Sequence, residues 1–160
     1  MNDTPPPLRI VVAEDDPDDR MLLSEAFDEC GLTTVSKEIV FVQNGEELLD
    51  CLRGRGPFNK SGAKGSSFDS PPLVLLDLNM PLMDGREALR AIKNSASLRC
   101  IPVVVLTTSS QEVDVDACYE QGASSFITKP VRYSDLVRMA RQVKEYWLDI
   151  VKRPRHFDPS

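Results

Sequence analysis

Short apolar runs alternate with helical segments five times along the chain, and this alternation constrains the fold more than any other feature of the sequence. The runs are rich in Val, Ile and Leu and cover 8–13, 35–42, 72–77, 101–107 and 124–128. Most are apolar at nearly every position, which is typical of strands covered on both faces. Strands that alternate with helices form parallel crossovers. The sequence therefore predicts an α/β fold with a doubly wound, five-stranded parallel sheet and five helices.

Polar residues follow the strands at the edge where such a sheet binds its ligands, beyond the carboxyl ends of the strands. The strand-end residues are Glu14, Asp15, Asp77, Thr107 and Lys129. The three carboxylates cannot comfortably stay ionised together in one small cleft, because like charges disfavour the charged form. A hard divalent cation resolves this conflict, and ligands that are all oxygen suit Mg²⁺. We therefore predict a Mg²⁺ site at this edge.

The same residues indicate phosphoryl chemistry. Lys129 places a point charge suited to phosphate oxygens, and the Thr107 hydroxyl can donate to the same group. No catalytic His, Cys or activated Ser lies within reach of these strand ends. The natural nucleophile is then a carboxylate, which can form an aspartyl phosphate. Asp77, between the acidic pair and the lysine, is the predicted nucleophile.

Composition limits the partners and the location. At 160 residues the chain fits one domain. Its net charge of -6 argues against binding along nucleic acid, which depends on clusters of Lys and Arg. The start of the chain lacks a signal-peptide pattern and no apolar run has the length of a membrane span, so we expect a cytoplasmic protein without a membrane partner. The four cysteines are scattered and the one histidine lies in a polar tail, which disfavours zinc.

Four stretches, in this order and at these strand ends, carry a family resemblance: AEDDPDD, LLDLNMPLMDG, VVVLTTSS and SFITKPV. Together they resemble the receiver domain of two-component response regulators over residues 8–148, with an N-terminal tail over 1–7 and a C-terminal arm over 149–160. The resemblance implies a flavodoxin-like sheet with strand order 2-1-3-4-5. It also implies a signalling switch rather than an enzyme, in which Asp77 accepts a phosphoryl group from a histidine kinase.

The resemblance also implies a role for each matched residue. The implied metal ligands are Glu14, Asp15, Asp77 and the backbone carbonyl of Asn79. Thr107 and Lys129 would contact the phosphoryl group, and Thr107 and Phe126 would be the switch residues. A cis peptide bond is implied before Pro130.

Longer stretches narrow the resemblance. LLDLNMPLMDGREAL, IPVVVLTTSS and the late YW are similar to stand-alone regulators paired with bacterial and cyanobacterial phytochromes, which implies a phytochrome-type histidine kinase as the partner. The Gly- and Ser-rich segment 53–72 is interpreted as a surface loop, with a partner-docking loop as the alternative.

Apolar residues continue past the expected end of the domain, where little core remains to cover them. The predicted C-terminal arm contains Trp147, Ile150, Val151 and Phe157. Trp147 also continues the apolar spacing of the last helix and so belongs to its core face. We predict a homodimer formed by the fourth and fifth helices, the fifth strand and this arm.

Other functions fit the sequence less well than the phosphoryl switch does. A phosphohydrolase with the same kind of nucleophile would carry an aspartate where this chain has Asn79, together with a cap domain. A nucleotide-binding domain would need a Gly-rich loop after the first strand, and that loop is missing. A pseudo-receiver that binds partners without phosphate stays open, although the complete set of site residues argues against it. Asp16, Asp18 and Asp19 are interpreted as the cap and first turn of a helix, with additional metal ligands as the alternative.

Overall fold

The strands form one parallel sheet in the predicted order. The structure, a computed structural model, describes residues 8–32, 38–58, 68, 70–109 and 111–156. Its strands are β1 Arg9–Ala13, β2 Glu38–Val42, β3 Leu73–Leu76, β4 Val103–Thr107 and β5 Ser125–Thr128. They lie in the order β2-β1-β3-β4-β5, and every neighbouring pair is parallel. The predicted doubly wound sheet is confirmed.

Five helices of nine residues or more lie in the described part of the chain. They are α1 Pro17–Glu29, α2 Gly45–Arg53, α3 Gly85–Asn94, α4 Glu112–Glu120 and α5 Tyr133–Lys144. Three begin at a capping side chain, since Asp16, Asn44 and Asp84 accept hydrogen bonds from backbone N–H groups of the first turn. Such a cap typically contributes about 1 kcal/mol. The interpretation of Asp16 as a helix cap is confirmed.

The last helical segment differs from the continuous helix that the sequence predicts. α5 ends at Lys144, and a π-helical turn continues over Glu145–Ile150. Within this turn Trp147 and Leu148 are half-buried and pack against the core. An apolar spacing of three and four residues is compatible with either kind of turn, so the sequence pattern could not separate them.

Both faces of the sheet are covered, which explains the apolar runs. In β1, Val11 packs under α2 and α3, while Ile10 and Val12 face α1 and α5. The side chains of one strand point alternately to the two faces, so a strand buried on both sides needs apolar residues at successive positions. The helices therefore form one layer on each side and leave the carboxyl ends of the strands open.

Two further observations concern the backbone. The described residues contain no cis peptide bond, so the peptide before Pro130 is trans. This corrects the cis bond that the resemblance implies. The trans form is favoured by about 0.5–1 kcal/mol before proline, so local chemistry does not demand the cis form. Among the described helices, none has the length and apolar character needed to cross a membrane.

Candidate functional site

Backbone hydrogen bonds extend the sheet by one residue at three strand ends. The N–H of Glu14 donates to Val42 O at 2.9 Å, and the N–H of Asp77 donates to Ala13 O at 3.0 Å. The N–H of Lys129 donates to Thr107 O at 2.7 Å. These side chains therefore start from backbone that is held by the sheet, although each residue lies just past its strand.

Three of the predicted acids meet at this edge. Carboxylate oxygens of Glu14, Asp15 and Asp77 lie within 4.8 Å of one another. Glu14 and Asp77 are buried, with 2% and 6% of their surface exposed. A buried carboxylate is unfavourable unless it is paired or bound to a cation, so this cluster needs positive charge.

Lys129 supplies positive charge in the structure. Its Nζ donates to Glu14 Oε2 at 2.8 Å, to Asp19 Oδ2 at 3.1 Å and to Asp77 Oδ2 at 3.4 Å. Burial alone would lower the pKa of Lys129, but the hydrogen bond to Glu14 and the charge of Asp77 outweigh it and raise that pKa. The ammonium group therefore stays charged among the acids. Asp19, interpreted from the sequence as a first-turn residue, is also a partner of this lysine.

The pKa values of the two buried acids are shifted in opposite directions. Burial, followed by the hydrogen bond and charge of Asp77, raises the pKa of Glu14 to about 7. Burial also disfavours the charged form of Asp77, but hydrogen bonds from Glu14 and from the N–H of Asn79, with the charge of Lys129, lower its pKa. Asp77 is therefore the carboxylate that stays ionised, as a nucleophile must be.

Hydrogen bonds orient the Asp77 carboxylate. Its Oδ1 accepts from the Thr107 hydroxyl at 2.8 Å and from the N–H of Asn79 at 3.1 Å. Its Oδ2 accepts the longer bond from Lys129. Thr107 is fully buried, so its hydroxyl is fixed at the acceptor. The site thus combines an ionised carboxylate with a neutral and a charged donor.

The other residues singled out from the sequence, the second switch residue, Asn79 and the predicted arm, differ in their burial. Phe126 is half-buried and packs against the core beneath α2 and α3, while its N–H donates to the Tyr119 hydroxyl at 3.2 Å. The side chain of Asn79 is exposed beside the acids. Ile150 is 70% exposed, Val151 is half-buried, and Phe157 lies outside the described residues. Of the described arm residues, Trp147 and Ile150 line a groove that does not include Glu14, Asp15 or Asp77.

The cluster is chemically suited to a divalent cation. Its candidate ligands are carboxylate oxygens, the type that hard cations such as Mg²⁺ and Mn²⁺ prefer. Glu14 and Asp77 are buried and offer oxygens to the same small space. The donors present therefore fit the group that the sequence predicts.

Gly85 permits α3 to begin directly against the site. A Cβ atom at Gly85 would overlap the carbonyl oxygen of Asp77 and lie 2.7 Å from Leu78 Cα. Because these atoms are backbone, Gly85→Ala should lower the free energy of unfolding by about 2–3 kcal/mol. Urea unfolding tests this, with Gly56→Ala as control. Gly56 has open space but a φ of 57°, so its variant should lose only about 1 kcal/mol. Equal losses would contradict the steric explanation.

A second group of interacting polar residues lies beside the acidic cluster, and no sequence pattern indicated it. Arg86 donates from Nε to Asp114 Oδ1 at 2.9 Å and from Nη2 to Asp114 Oδ2 at 2.8 Å, which joins α3 to α4. The Ser109 hydroxyl donates to the same Oδ2 at 2.6 Å. Arg86 and Asp114 are 28 positions apart, and no local pattern marks them as partners. We call these three residues the Asp114 cluster.

We expect the Asp114 cluster to make stability depend on pH in the acid range. Hydrogen bonds from Arg86 and then Ser109 lower the pKa of Asp114 from 3.8 to about 2. A folded-state pKa below the unfolded value means that the contribution is complete above about pH 4 and is lost as the pH falls toward 2. Because the group is near the surface, we expect a contribution on the order of 1 kcal/mol.

Urea unfolding of the wild type and of Asp114→Asn checks this dependence. The stability difference between the two proteins should be largest at neutral pH and should shrink at pH 3. A difference that stays constant between these pH values would contradict the assignment.

Comparisons with known proteins agree with the geometry. A family model described as the response regulator receiver domain matches residues 10–141. The chain is 38% identical over 148 residues to the probable methanogenesis regulatory protein FilR2 of Methanothrix harundinacea, covering 92% of this chain and 88% of that protein. It is 36% identical over 149 residues to the response regulator Rcp1 of Synechocystis, covering 93% of this chain and 95% of that protein.

Solved structures give the same similarity. The phosphorylated cyanobacterial phytochrome response regulator RcpA superposes with a TM-score of 0.77 and 36% identity, covering 92% of this chain and 98% of that chain. The Mn²⁺-bound form of Rcp1 superposes with a TM-score of 0.74 and 34% identity, covering 92% of this chain and 99% of that chain. The similarity therefore extends over nearly the whole length of both proteins.

Proposed function

Because the chain belongs to the family of response regulator receiver domains, we propose that it is a stand-alone response regulator in which Asp77 accepts a phosphoryl group. The observation that carries this proposal is the buried Asp77 carboxylate, which is held by Thr107, Lys129 and the N–H of Asn79. The similarity to the response regulators Rcp1 and RcpA, which covers 95% and 98% of their chains, supports this proposal. Residues 8–148 would form the receiver domain.

We assign the chemical roles as follows. Oδ2 of Asp77 attacks phosphorus, because its hydrogen bond to Lys129 is longer than those on Oδ1. The bond from phosphorus to the donor nitrogen of a phosphohistidine breaks, and that nitrogen keeps the electron pair. Lys129 and the Thr107 hydroxyl then donate to phosphoryl oxygens, which carry the charge that builds up during transfer.

Glu14, Asp15 and Asp77, with the backbone carbonyl of Asn79, would bind Mg²⁺. A bound divalent cation supplies positive charge that offsets both the carboxylates and the phosphoryl oxygens. The burial of Glu14 and Asp77 supports this role, because buried carboxylates are unfavourable unless a positive charge compensates them. Phe126, next to the sheet edge and packed on the core, would be the second switch residue with Thr107.

Receiver domains interact with histidine kinases, and we propose a phytochrome-type kinase as the donor. The support is that the RcpA structure is of a phytochrome response regulator. The name of FilR2 refers to methanogenesis regulation instead, so the kinase has to be tested directly. Phosphotransfer from a purified phytochrome kinase to this chain should occur within seconds to minutes, and a kinase from an unrelated pathway is the control.

The test of the whole proposal is chemical. Intact mass is measured after incubation with acetyl phosphate and Mg²⁺, in the presence and absence of a chelator. One phosphoryl adduct is expected, labile to hydroxylamine and missing with chelator. If no donor gives an adduct, the pseudo-receiver alternative is favoured and the proposal fails.

We also propose that the protein is a homodimer. Exposed Ile150 and half-exposed Tyr146 line a groove of about 490 Å³ against β5, the edge strand of the sheet. An apolar groove along an open sheet edge supports a protein contact there, and a second copy offers the same apolar groups in return.

Ile150→Asp should weaken this dimer. Burying an isoleucine contributes about 1.5–3 kcal/mol, so the dissociation constant should rise at least tenfold in sedimentation equilibrium. Val131→Asp is the control, because Val131 is fully exposed but lies outside this groove. A wild type that sediments as a monomer, or equal effects of the two substitutions, would contradict the proposed surface.

A further inference from the structure

The Asp114 cluster is connected to the acceptor by hydrogen bonds. The N–H of Ser109 points to Thr107 Oγ1, with a nitrogen to oxygen distance of 3.4 Å. The Thr107 hydroxyl in turn donates to Asp77 Oδ1. The Ser109 hydroxyl donates to Asp114. Ser109 therefore contacts the Thr107 hydroxyl through its backbone N–H and Asp114 through its side chain.

The other end of the cluster is held by rigid structure. Arg86 follows Gly85, whose N–H donates to Leu78 O at 3.0 Å and whose Cα lies against the Asp77 backbone. Arg86 binds both oxygens of Asp114 in a bidentate pair, which fixes the carboxylate in direction as well as position. The loop after β4 is thus attached, through Asp114, to the same backbone that presents the acceptor.

The position of Thr107 shows what this attachment could maintain. Thr107 is fully buried and its hydroxyl donates to Asp77 Oδ1. The α4 cap residue Gln111 makes no side-chain capping bond, although its carbonyl accepts from the N–H groups of Asp114 and Val115. The hydroxyl of Ser109 adds a side-chain link between the loop and α4 by donating to Asp114.

We propose that Asp114 is a positioning residue, which through Ser109 holds the Thr107 hydroxyl beside the acceptor carboxylate. The protein then spends less free energy on ordering this loop when it is phosphorylated, because the donor is preorganised. This inference rests on the proposed function, since it concerns the same acceptor. Asp114 would then be a residue outside the acidic cluster that affects how readily Asp77 is phosphorylated.

Beryllofluoride, an analogue of the phosphoryl group on aspartate, measures this directly. Its dissociation constant in the presence of Mg²⁺ is compared for the wild type, Ser109→Ala and Asp114→Ala. One hydrogen bond is lost in Ser109→Ala while the pair between Arg86 and Asp114 remains. We expect the dissociation constant to rise about threefold to tenfold in both variants. The rate of phosphorylation by acetyl phosphate should fall by a similar factor.

Two further variants separate positioning from simple stabilisation. Asp114→Asn keeps an oxygen that can accept from Ser109, and it should recover part of the lost affinity. Ser97→Ala removes a hydroxyl from the pair of Ser95 and Ser97 at 3.0 Å, remote from the acceptor, and should leave beryllofluoride affinity unchanged. The free energy of unfolding is measured for every variant, because a merely structural role would lower stability without changing affinity.

The outcomes distinguish the inference from the proposed function. If the wild type fails to bind beryllofluoride, the proposed function fails and the inference fails with it. If the wild type binds and Ser109→Ala binds equally well, the positioning role is overturned while the proposed function stands. Weaker binding by Ser109→Ala and Asp114→Ala, with partial recovery in Asp114→Asn, supports the positioning role.

Discussion

Asp77→Asn is expected to abolish phosphorylation completely. An amide oxygen lacks the charge that makes the Asp77 carboxylate a nucleophile. The substitution keeps the shape of the side chain, and its oxygen can still accept from the Thr107 hydroxyl and the N–H of Asn79. The variant should therefore fold normally, and any loss of reactivity can be assigned to the reacting group.

Intact mass after incubation with acetyl phosphate and Mg²⁺ is the measurement. The matched control is Asp84→Asn, in the same loop, because Asp84 caps α3 and asparagine is an equally good cap. The control should accept one phosphoryl group like the wild type. An adduct of equal yield and hydroxylamine lability in Asp77→Asn would mean that another carboxylate is the acceptor.

Lys129→Met should be the most destabilising change at the site when no divalent cation is present. It removes the ammonium group that contacts Glu14 and Asp77, both of which are buried. Removing one partner of a buried ion pair typically costs about 3–5 kcal/mol, because the remaining charge is left without compensation. At pH 8 both acids would have to be ionised together or one would take up a proton.

The response of stability to Mg²⁺ distinguishes this prediction from a general loss of stability. Mg²⁺ should restore more stability to Lys129→Met than it adds to the wild type, as measured by urea unfolding with chelator and with excess Mg²⁺. Lys93→Met is the control, because Lys93 Nζ donates to the carbonyls of Arg99 and Ile101 rather than to acids. Its loss of stability should be independent of Mg²⁺. If both variants respond to Mg²⁺ equally, Lys129 does not compensate the acidic cluster.

The fold was predictable because burial leaves a periodic trace in a sequence. Strands covered on both faces must be apolar at successive positions, and the capping residues Asp16 and Asp84 mark where α1 and α3 begin. The end of α5 was not predictable in the same way. Its π-helical turn keeps the apolar spacing of the helix, and the backbone bond from the N–H of Val151 to Tyr146 O, five residues back, distinguishes it.

The candidate site was predictable in its members but not in their contacts. Parallel strands bring their carboxyl ends to one edge, so the acids and the lysine had to be neighbours. The third contact of Lys129, with Asp19, joins residues 110 positions apart. The first-turn position of Asp19 explains its place in the helix but does not name that partner.

The sequence alone determined which residues reach the open edge of the sheet, because strand boundaries and topology follow from apolar periodicity and helix signals. Only the tertiary structure decided how those residues are paired, which oxygen of Asp77 each donor contacts, and that Arg86, Asp114 and Ser109 connect the loop after β4 to α3. The physical reason is the range of the forces. Burial is a property of one residue and its spacing. A hydrogen bond requires a donor and an acceptor, often far apart in the chain, to lie about 3 Å from each other to within a few tenths of an ångström.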